Sequence, residues 1–169
     1  TDEDVTATTA TTVTNVNDVG SVAITGTAIQ GQTLTATVSD GDGVPSSITY
    51  QWKRGSTDIG TNSATYVLVQ ADVGSTITVN AQYTDDQSTD EDVTATTATT
   101  VTNVNDAGSV AISGTATQGQ TLTATVSDDD GATSTITYQW KRTTNSVTTD
   151  IGTNGTSATY VLVQADVGS

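Results

Sequence analysis

Short stretches of the chain alternate apolar and polar residues, and this period of two predicts β-strands because successive side chains of a strand point to opposite faces. Turns rich in Asp and Gly, such as 39–43 and 72–74, separate the stretches. Within residues 19–106 we expect six strands, with these residues on their inward faces: Val22 and Ile24; Leu34, Ala36 and Val38; Ile48, Tyr50 and Trp52; Tyr66 and Leu68; Ile77, Val79, Ala81 and Tyr83; Val93, Ala95 and Val101. Short strands at a spacing of roughly ten residues predict an all-β fold with two packed sheets.

An internal repeat underlies this pattern. Residues 1–18 recur without change at 89–106, which is 88 positions further along the chain. We therefore expect 1–18 to be the C-terminal strand and linker of a preceding repeat, and 19–106 to be a complete repeat. Residues 107–169 would form an incomplete repeat that lacks its last two strands. Because both ends fall inside a repeat, we expect the chain to be an excerpt of a longer array.

The second copy carries an insertion. Residues 48–54 recur at 136–142, again 88 positions further on, whereas residues 63–66 recur at 157–160, 94 positions further on. Six residues have therefore been added within 143–155. We expect them in a loop, because the entropic cost of a longer loop grows only slowly with its length.

Four sequence blocks follow one another in the complete repeat, namely GQTLTA at 31–36, YQWKR at 50–54, ATYVL at 64–68 and QADVG at 70–74. Together they resemble the immunoglobulin-like repeats of giant bacterial surface proteins and adhesins. The resemblance implies tandem β-sandwich domains with Greek-key connections in an elongated array, located outside the cell, at a bacterial cell surface or in an extracellular matrix. It also implies that Trp52 and Trp140 pack in the core of their domains.

The composition excludes several kinds of chemistry. The chain has 4 Lys and Arg against 19 Asp and Glu, a net charge of -15, and neither His nor Cys. It therefore contains no disulfide, no Ser-His-Asp or Cys-His nucleophile and no zinc site of nitrogen and sulfur ligands. So few cations make a nucleic-acid partner unexpected, and no apolar run approaches the ~18 residues of a membrane span. The two Glu residues, Glu3 and Glu91, stand beside predicted strand starts with no pocket implied, so we expect no enzyme.

Acidic residues concentrate in the turns and linkers rather than in the strands. In the topology that the resemblance implies, the loop after the second strand, the loop before the last strand and the N-terminal linker meet at one end of the domain. Carboxylates gathered there would repel one another, and oxygen ligands select calcium over softer metals. The candidate ligands are Asn15, Asn17, Asp18, Asp40, Asp42, Asp72, Asp85, Asp86, Asn103, Asn105, Asp106, Asp128 and Asp130.

The linkers at 15–18 and 103–106 are similar to the calcium-binding linkers of cadherins, with Asn in the first position. In that pattern Asp72, at the opposite end of the domain, would reach the next junction. Gln30 and Gln118 stand where related repeats often carry Glu, which implies a weak affinity of about 10⁻⁴–10⁻³ M. Gly20 and Gly108 stand where Pro commonly follows the linker, which implies a less stiff joint. The alternative is that these acids are solvated loop tips in a salt-adapted protein.

Three functions follow from these patterns. The first is a non-enzymatic structural spacer of an adhesin or fibre, rigidified by calcium at its junctions and partnered by the neighbouring repeats of the same chain. The second is a filament subunit in which residues 1–14 of one copy add as a strand to the incomplete repeat of another. The third is a polysaccharide-binding module, which an exposed Trp52 would favour.

The four cationic residues of the chain stand in two Lys-Arg dipeptides, at 53–54 and 141–142. We expect these dipeptides to form ion pairs with the nearby Asp58 and Asp150.

Overall fold

The computed structural model describes residues 3–131, 135–151 and 157–169. The chain divides into two compact units, Thr1–Val104 (unit 1) and Asn105–Ser169 (unit 2). Within the described ranges the regular structure consists of twelve β-strands and two short 3₁₀ helices, which confirms the prediction of an all-β fold. No helix in these ranges has the length and apolar character needed to cross a membrane.

Unit 1 contains two antiparallel sheets. The first has the order β1-β2-β5, with β1 at Ser21–Thr25, β2 at Thr33–Ser39 and β5 at Thr65–Val67. The second has the order β4-β3-β6-β7, with β3 at Thr49–Arg54, β4 at Thr57–Ile59, β6 at Ile77–Thr84 and β7 at Asp90–Thr96. Leu34 of the first sheet packs in one buried cluster with Trp52 and Val79 of the second, so the core lies between the sheets in a β-sandwich-like arrangement.

The alternation of apolar and polar residues determines which face of each strand is buried. In β6 the expected inward residues Ile77, Val79, Ala81 and Tyr83 are all buried, and the residues between them are more exposed. Trp52 is 0% exposed, its indole N–H donates to the Ser63 carbonyl at 2.8 Å, and its ring stacks on Tyr66. The expectation that Trp52 belongs to the core is therefore confirmed.

Three features of unit 1 were not part of the predicted strands and turns. The short strand β4 was missed; it pairs with β3 through a turn at Gly55, whose positive φ of 56° suits glycine. A 3₁₀ helix at Gln70–Asp72 follows β5. The last strand ends at Thr96, and Val101 instead forms an isolated parallel bridge with Val73. These features depend on turn geometry and on pairing between distant residues, which the alternation of apolar and polar residues does not predict.

Unit 2 has a three-stranded sheet and a separate hairpin among its described residues. The sheet has the order β12-β9-β8, with β8 at Ser109–Ser113, β9 at Thr121–Ser127 and β12 at Thr159–Val161; the hairpin joins β10 at Lys141–Thr144 to β11 at Val147–Asp150. Trp140 is 7% exposed, stacks on Tyr160 and forms a small core with Ala124. Trp140 is therefore a core residue, as expected.

The insertion in the second copy lengthens this hairpin. Ile59 pairs with Trp52 in unit 1, and Ile151 bonds to Trp140 in unit 2 through its backbone N–H at 2.9 Å. Ile151 follows Ile59 by 92 positions, so four of the six added residues belong to the hairpin. The remaining two fall at 152–156, outside the described residues.

Each unit contains an ion pair between a partly exposed arginine and a buried carboxylate, and the sequence analysis expected a different partner for the arginine. Lys53 pairs with Asp58 and Lys141 with Asp150, as expected. Arg54 instead bonds to Asp72 at 2.9 Å, and Arg142 contacts Asp166 at 2.6 Å. The acidic partners lie in the two 3₁₀ helices, far along the chain from the arginines, so sequence proximity suggested the wrong partners.

Asp72 is completely buried and accepts three hydrogen bonds. They come from the Arg54 guanidinium, the Tyr66 hydroxyl and the Val69 backbone N–H, each at 2.9 Å. Burial, together with the hydrogen bond to Asp72, raises the pKa of Tyr66 to about 12. Asp72 thus fixes the 3₁₀ helix, β3 and β5 to one another.

Asp166 occupies the corresponding position in unit 2. Burial acts to raise its pKa, but the Val163 N–H, Arg142 and Tyr160 bond to its carboxylate and together hold the pKa below its usual value. The two units therefore use the same anchoring device.

Candidate metal centre

Three carboxylates meet at one end of unit 1. Asp40 follows β2, Asp85 follows β6 and Glu91 lies in β7. One carboxylate oxygen from each of the three lies within 4.8 Å of the other two. Asp85 is only 5% exposed and Glu91 only 7%. This carboxylate cluster combines like charges with burial, an arrangement that a bound cation would stabilise.

The strand register explains how Glu91 reaches the cluster. Glu91 pairs across the sheet with Tyr83, one of the inward residues of β6. Along β7 the buried residues are Glu91 and Val93, so Glu91 continues the inward face at the end of the strand. The sequence analysis missed Glu91 as a site residue. The signal was nevertheless available, because Glu91 is two positions before Val93 and four before Ala95, in the same phase.

Most oxygens of the cluster already accept a hydrogen bond. The Tyr83 hydroxyl donates to Asp40 Oδ2 at 2.7 Å, and the Asp42 backbone N–H donates to Asp40 Oδ1 at 2.8 Å. Burial raises the pKa of Tyr83, and its hydrogen bond to Asp40 and the neighbouring acidic charges raise it further. Tyr83 therefore stays a hydroxyl donor at neutral pH.

Asp85 is the exception. Its Oδ1 accepts from the backbone N–H groups of Gln87 at 2.9 Å and Thr89 at 2.7 Å, which shapes the turn between β6 and β7. Its Oδ2 is buried and accepts no hydrogen bond from the residues that the structure describes. A buried acceptor without a partner is costly. The unpaired oxygen belongs to one of the three residues whose carboxylates converge.

The linker before β1 lies against the same carboxylates. Asn17 Nδ2 donates to Glu91 Oε1 at 3.0 Å, the Asp18 N–H donates to Asp42 Oδ2 at 2.6 Å, and the Gly20 N–H donates to Glu91 Oε2 at 3.2 Å. The linker is therefore bonded directly to Glu91 of the cluster and to Asp42, which itself bonds to Asp40.

Sterics account for glycine at position 20. A Cβ there would lie 1.8 Å from the Tyr83 hydroxyl and 2.7 Å from Asp40 Oδ2. Proline would in addition lack the N–H that Gly20 donates to Glu91. Close packing at the cluster therefore requires glycine at this position, where the cadherin-like pattern has proline.

Unit 2 repeats part of this arrangement. The Asp106 N–H donates to Asp130 Oδ2 at 2.7 Å, and the Asp130 N–H donates to Asp128 Oδ1 at 2.9 Å. Asp130 Oδ1 is buried and has no hydrogen-bond partner within the described ranges. In the part of the chain that the structure describes, only the unit 1 cluster has three acidic groups at this spacing.

The predicted site residues thus divide into three groups. The structure brings Asp40 and Asp85 into the cluster and places Asn17, Asp18 and Asp42 around it. Asp106, Asp128 and Asp130 form the smaller arrangement in unit 2. The others lie apart: Asn15, Asp86, Asn103 and Asn105 are exposed, and Asp72 is buried in the Arg54 ion pair. We therefore reassign Asp72 from a junction ligand to a core anchor.

Neither the protein-family models nor the curated proteins that were compared with the chain give a match. The fold and site define the class of molecule on their own: a small β-sandwich-like domain with an oxygen-only cluster at one end. The chemistry available to that cluster is the binding of a hard cation.

Proposed function

We propose that this chain consists of tandem immunoglobulin-like repeats that act as a non-enzymatic structural spacer in a large bacterial extracellular adhesin or fibre, with calcium rigidifying the junction at the carboxylate cluster of unit 1. The observation that carries the proposal is the bonding of linker residues 17–20 to Glu91 and Asp42, beside the unpaired buried oxygen of Asp85. A cation held there would fix the linker and the domain in one geometry.

The ligand set fits calcium. Calcium binds six to eight oxygens at about 2.3–2.6 Å, so two ligands on opposite sides of one ion lie up to about 5 Å apart. One oxygen from each of the three carboxylates falls within 4.8 Å of the other two, a distance that one such ion spans. Asp40, Asp85 and Glu91 would hold the ion. Calcium would supply only positive charge that offsets three carboxylates, with no chemical step.

Burial of the tryptophans favours a spacer over a polysaccharide binder. Trp52 and Trp140 are 0% and 7% exposed, so neither offers a flat face to a sugar ring. The linker also argues against catalysis at the cluster, because Asn17 and Gly20 bond to both oxygens of Glu91. A calcium site of a few carboxylates would be occupied at the high calcium concentration outside cells, so the extracellular part of the proposal depends on the calcium part.

Hydrogen exchange of the linker amides tests this proposal. We expect calcium to slow exchange of the Asp18 and Gly20 N–H groups by at least about tenfold relative to chelator, since a bound ion would suppress local opening of the linker. Magnesium should protect less, because it demands a more regular octahedral shell and releases water reluctantly. Unchanged exchange and an unchanged Tm in calcium would contradict the proposal.

A further inference from the structure

The outward face of the first sheet of unit 1 carries no charge within the described strands. Ile24 of β1, Leu34 of β2 and Tyr66 of β5 belong to the core or pack against it, so the residues that alternate with them point away from the core. These outward residues are all Ser, Thr, Ala or Val, and all except Thr35 are exposed. They occupy the odd-numbered positions of 21–25, 33–39 and 65–67, and together they form the uncharged face of unit 1.

Unit 2 has the same face. Ala124 of β9 and Tyr160 of β12 lie in its core, and the residues that alternate with them are again Ser, Thr or Val. The pairing of β8 with β9 has the register of β1 with β2, shifted by 88 positions. The uncharged face is therefore a property of the repeat, built only from strands that both units contain.

The outward face of the second sheet of unit 1 is different, because it carries charges. Lys53 pairs there with the exposed Asp58. Asp92 accepts from the side-chain amides of Asn80 and Gln82, and these bonds hold its pKa below the usual value. With a net charge of -15 on each chain, two copies repel one another. The uncharged face is the surface through which a second copy can approach without bringing further like charges into contact.

The chemistry of this face is complementary to itself. A hydroxyl group both donates and accepts a hydrogen bond, and threonine pairs of this kind already occur in the chain. The hydroxyl oxygens of Thr78 and Thr96 lie 2.9 Å apart across β6 and β7, and those of Thr143 and Thr148 lie 2.9 Å apart across β10 and β11. Val67, which is 54% exposed, adds apolar area at one edge of the face.

We propose that the uncharged face of one chain packs against the same face of a second chain, so that both copies contribute the same residues around a two-fold axis. Three strands about 4.8 Å apart, with up to seven residues each at about 3.4 Å per residue, present roughly 300 Å². Because a stable interface needs about 800 Å² from each partner, one face supports only weak association, with a Kd of about 1 mM or weaker. The contact is independent of the calcium proposal, since the uncharged face includes no residue of the carboxylate cluster.

Small-angle X-ray scattering over a concentration series in chelator tests the contact. In about 1 M NaCl the Debye length is about 3 Å, so the general repulsion between chains is screened. We expect the forward scattering per unit mass of the original chain to rise with concentration under these conditions. A variant that combines Thr37→Glu with Thr125→Glu should associate at least about tenfold more weakly, because it buries a carboxylate in the contact.

Thr49→Glu combined with Thr137→Glu is the matched control. It makes the same two substitutions in each chain and gives the same net charge. Both threonines are exposed, and Thr49 points away from the core because its neighbour Tyr50 packs against it. This control variant should associate like the original chain.

Mixing variants of opposite charge tests that the two faces meet each other. Thr37→Lys combined with Thr125→Lys should weaken self-association as the Glu substitutions do. An equimolar mixture of the Lys and Glu variants in about 0.1 M NaCl should associate more strongly than either variant alone. A mixture that associates no more than its components would overturn the proposal.

Two further results would overturn self-pairing. One is an original chain that stays monomeric in about 1 M NaCl, and the other is an equal loss of association in the control variant. Binding of soluble dextran by a monomeric original chain, lost in the Glu variant at Thr37 and Thr125, would assign the face to a neutral polysaccharide instead. Because every measurement is made in chelator, none of these outcomes bears on the calcium site.

Discussion

Replacement of Asp85 by Asn is expected to remove most of the calcium-dependent stabilisation of unit 1 while leaving the calcium-free domain at least as stable. Asn keeps an oxygen that can accept from Gln87 and Thr89, so the turn should persist. It removes one charge from the buried cluster, which relieves repulsion without calcium and weakens binding with calcium. The substitution is therefore expected to raise the stability of unit 1 without calcium and to lower its stability in calcium.

The expected size of this effect follows from mass action. At a calcium concentration of 100 times Kd, the original chain should gain about 2.7 kcal/mol, equivalent to a rise in Tm of about 10–20 °C for a domain of this size. A hundredfold loss of affinity would reduce the gain at the same calcium concentration to about 0.4 kcal/mol. Thermal unfolding in calcium and in chelator, monitored by Trp52 fluorescence in a Trp140→Phe background, measures both gains in stability.

Asp86→Asn is the matched control. It makes the same charge change one residue further on, but Asp86 is exposed and lies outside the cluster. We expect the calcium-dependent rise in Tm to be nearly unchanged in this variant. An equal loss in the two variants would mean that calcium acts through general screening of the acidic surface, which would contradict a specific site.

Asp72→Ala is expected to destabilise unit 1 by about 3–5 kcal/mol, because it leaves Arg54 without its buried partner and removes the acceptor of the Tyr66 hydroxyl and the Val69 N–H. Asp58→Ala, which breaks the exposed pair with Lys53, should cost at most about 1 kcal/mol. Urea unfolding in chelator gives both free energies.

The calcium response distinguishes the two possible roles of Asp72. As a core anchor, Asp72 should be replaceable without loss of the calcium-dependent increase in stability, as long as the variant folds. Addition of calcium should then raise its urea midpoint by the same free energy as in the original chain. If a folded Asp72 variant lost the calcium-dependent increase in its free energy of unfolding, Asp72 would instead be a calcium ligand.

The sequence predicted the parts of the fold that depend on local periodicity. The alternation in Ile77, Val79, Ala81 and Tyr83 identified β6 and its buried face, since a strand with one face in a core must repeat every second residue. The core position of Trp52 was also predicted. For the site, the clustering of acids in turns identified Asp40 and Asp85, because both directly follow strands.

The errors concern contacts between residues distant along the chain. Glu91 was not predicted as a site residue, because it stands near a strand start. Its pairing with Tyr83 places it on the buried face of β7. Asp72 resembled an exposed turn residue, and only the approach of Arg54 from β3 explains its burial. Gly20 resembled a flexible joint, and its contact with Tyr83 becomes visible only when β6 and the linker are both in place.

The most direct test of the calcium site is a titration of the intact chain with calcium, monitored by the NMR amide signals of residues around the cluster. We predict saturable shifts at Asp18, Gly20, Asp42 and Thr89, whose backbone N–H groups donate to Asp42, Glu91, Asp40 and Asp85, respectively. These shifts should share a Kd of about 10⁻⁴–10⁻³ M. Linear, unsaturated shifts spread over the acidic surface, with no larger change at these four amides, would contradict a calcium site at this junction.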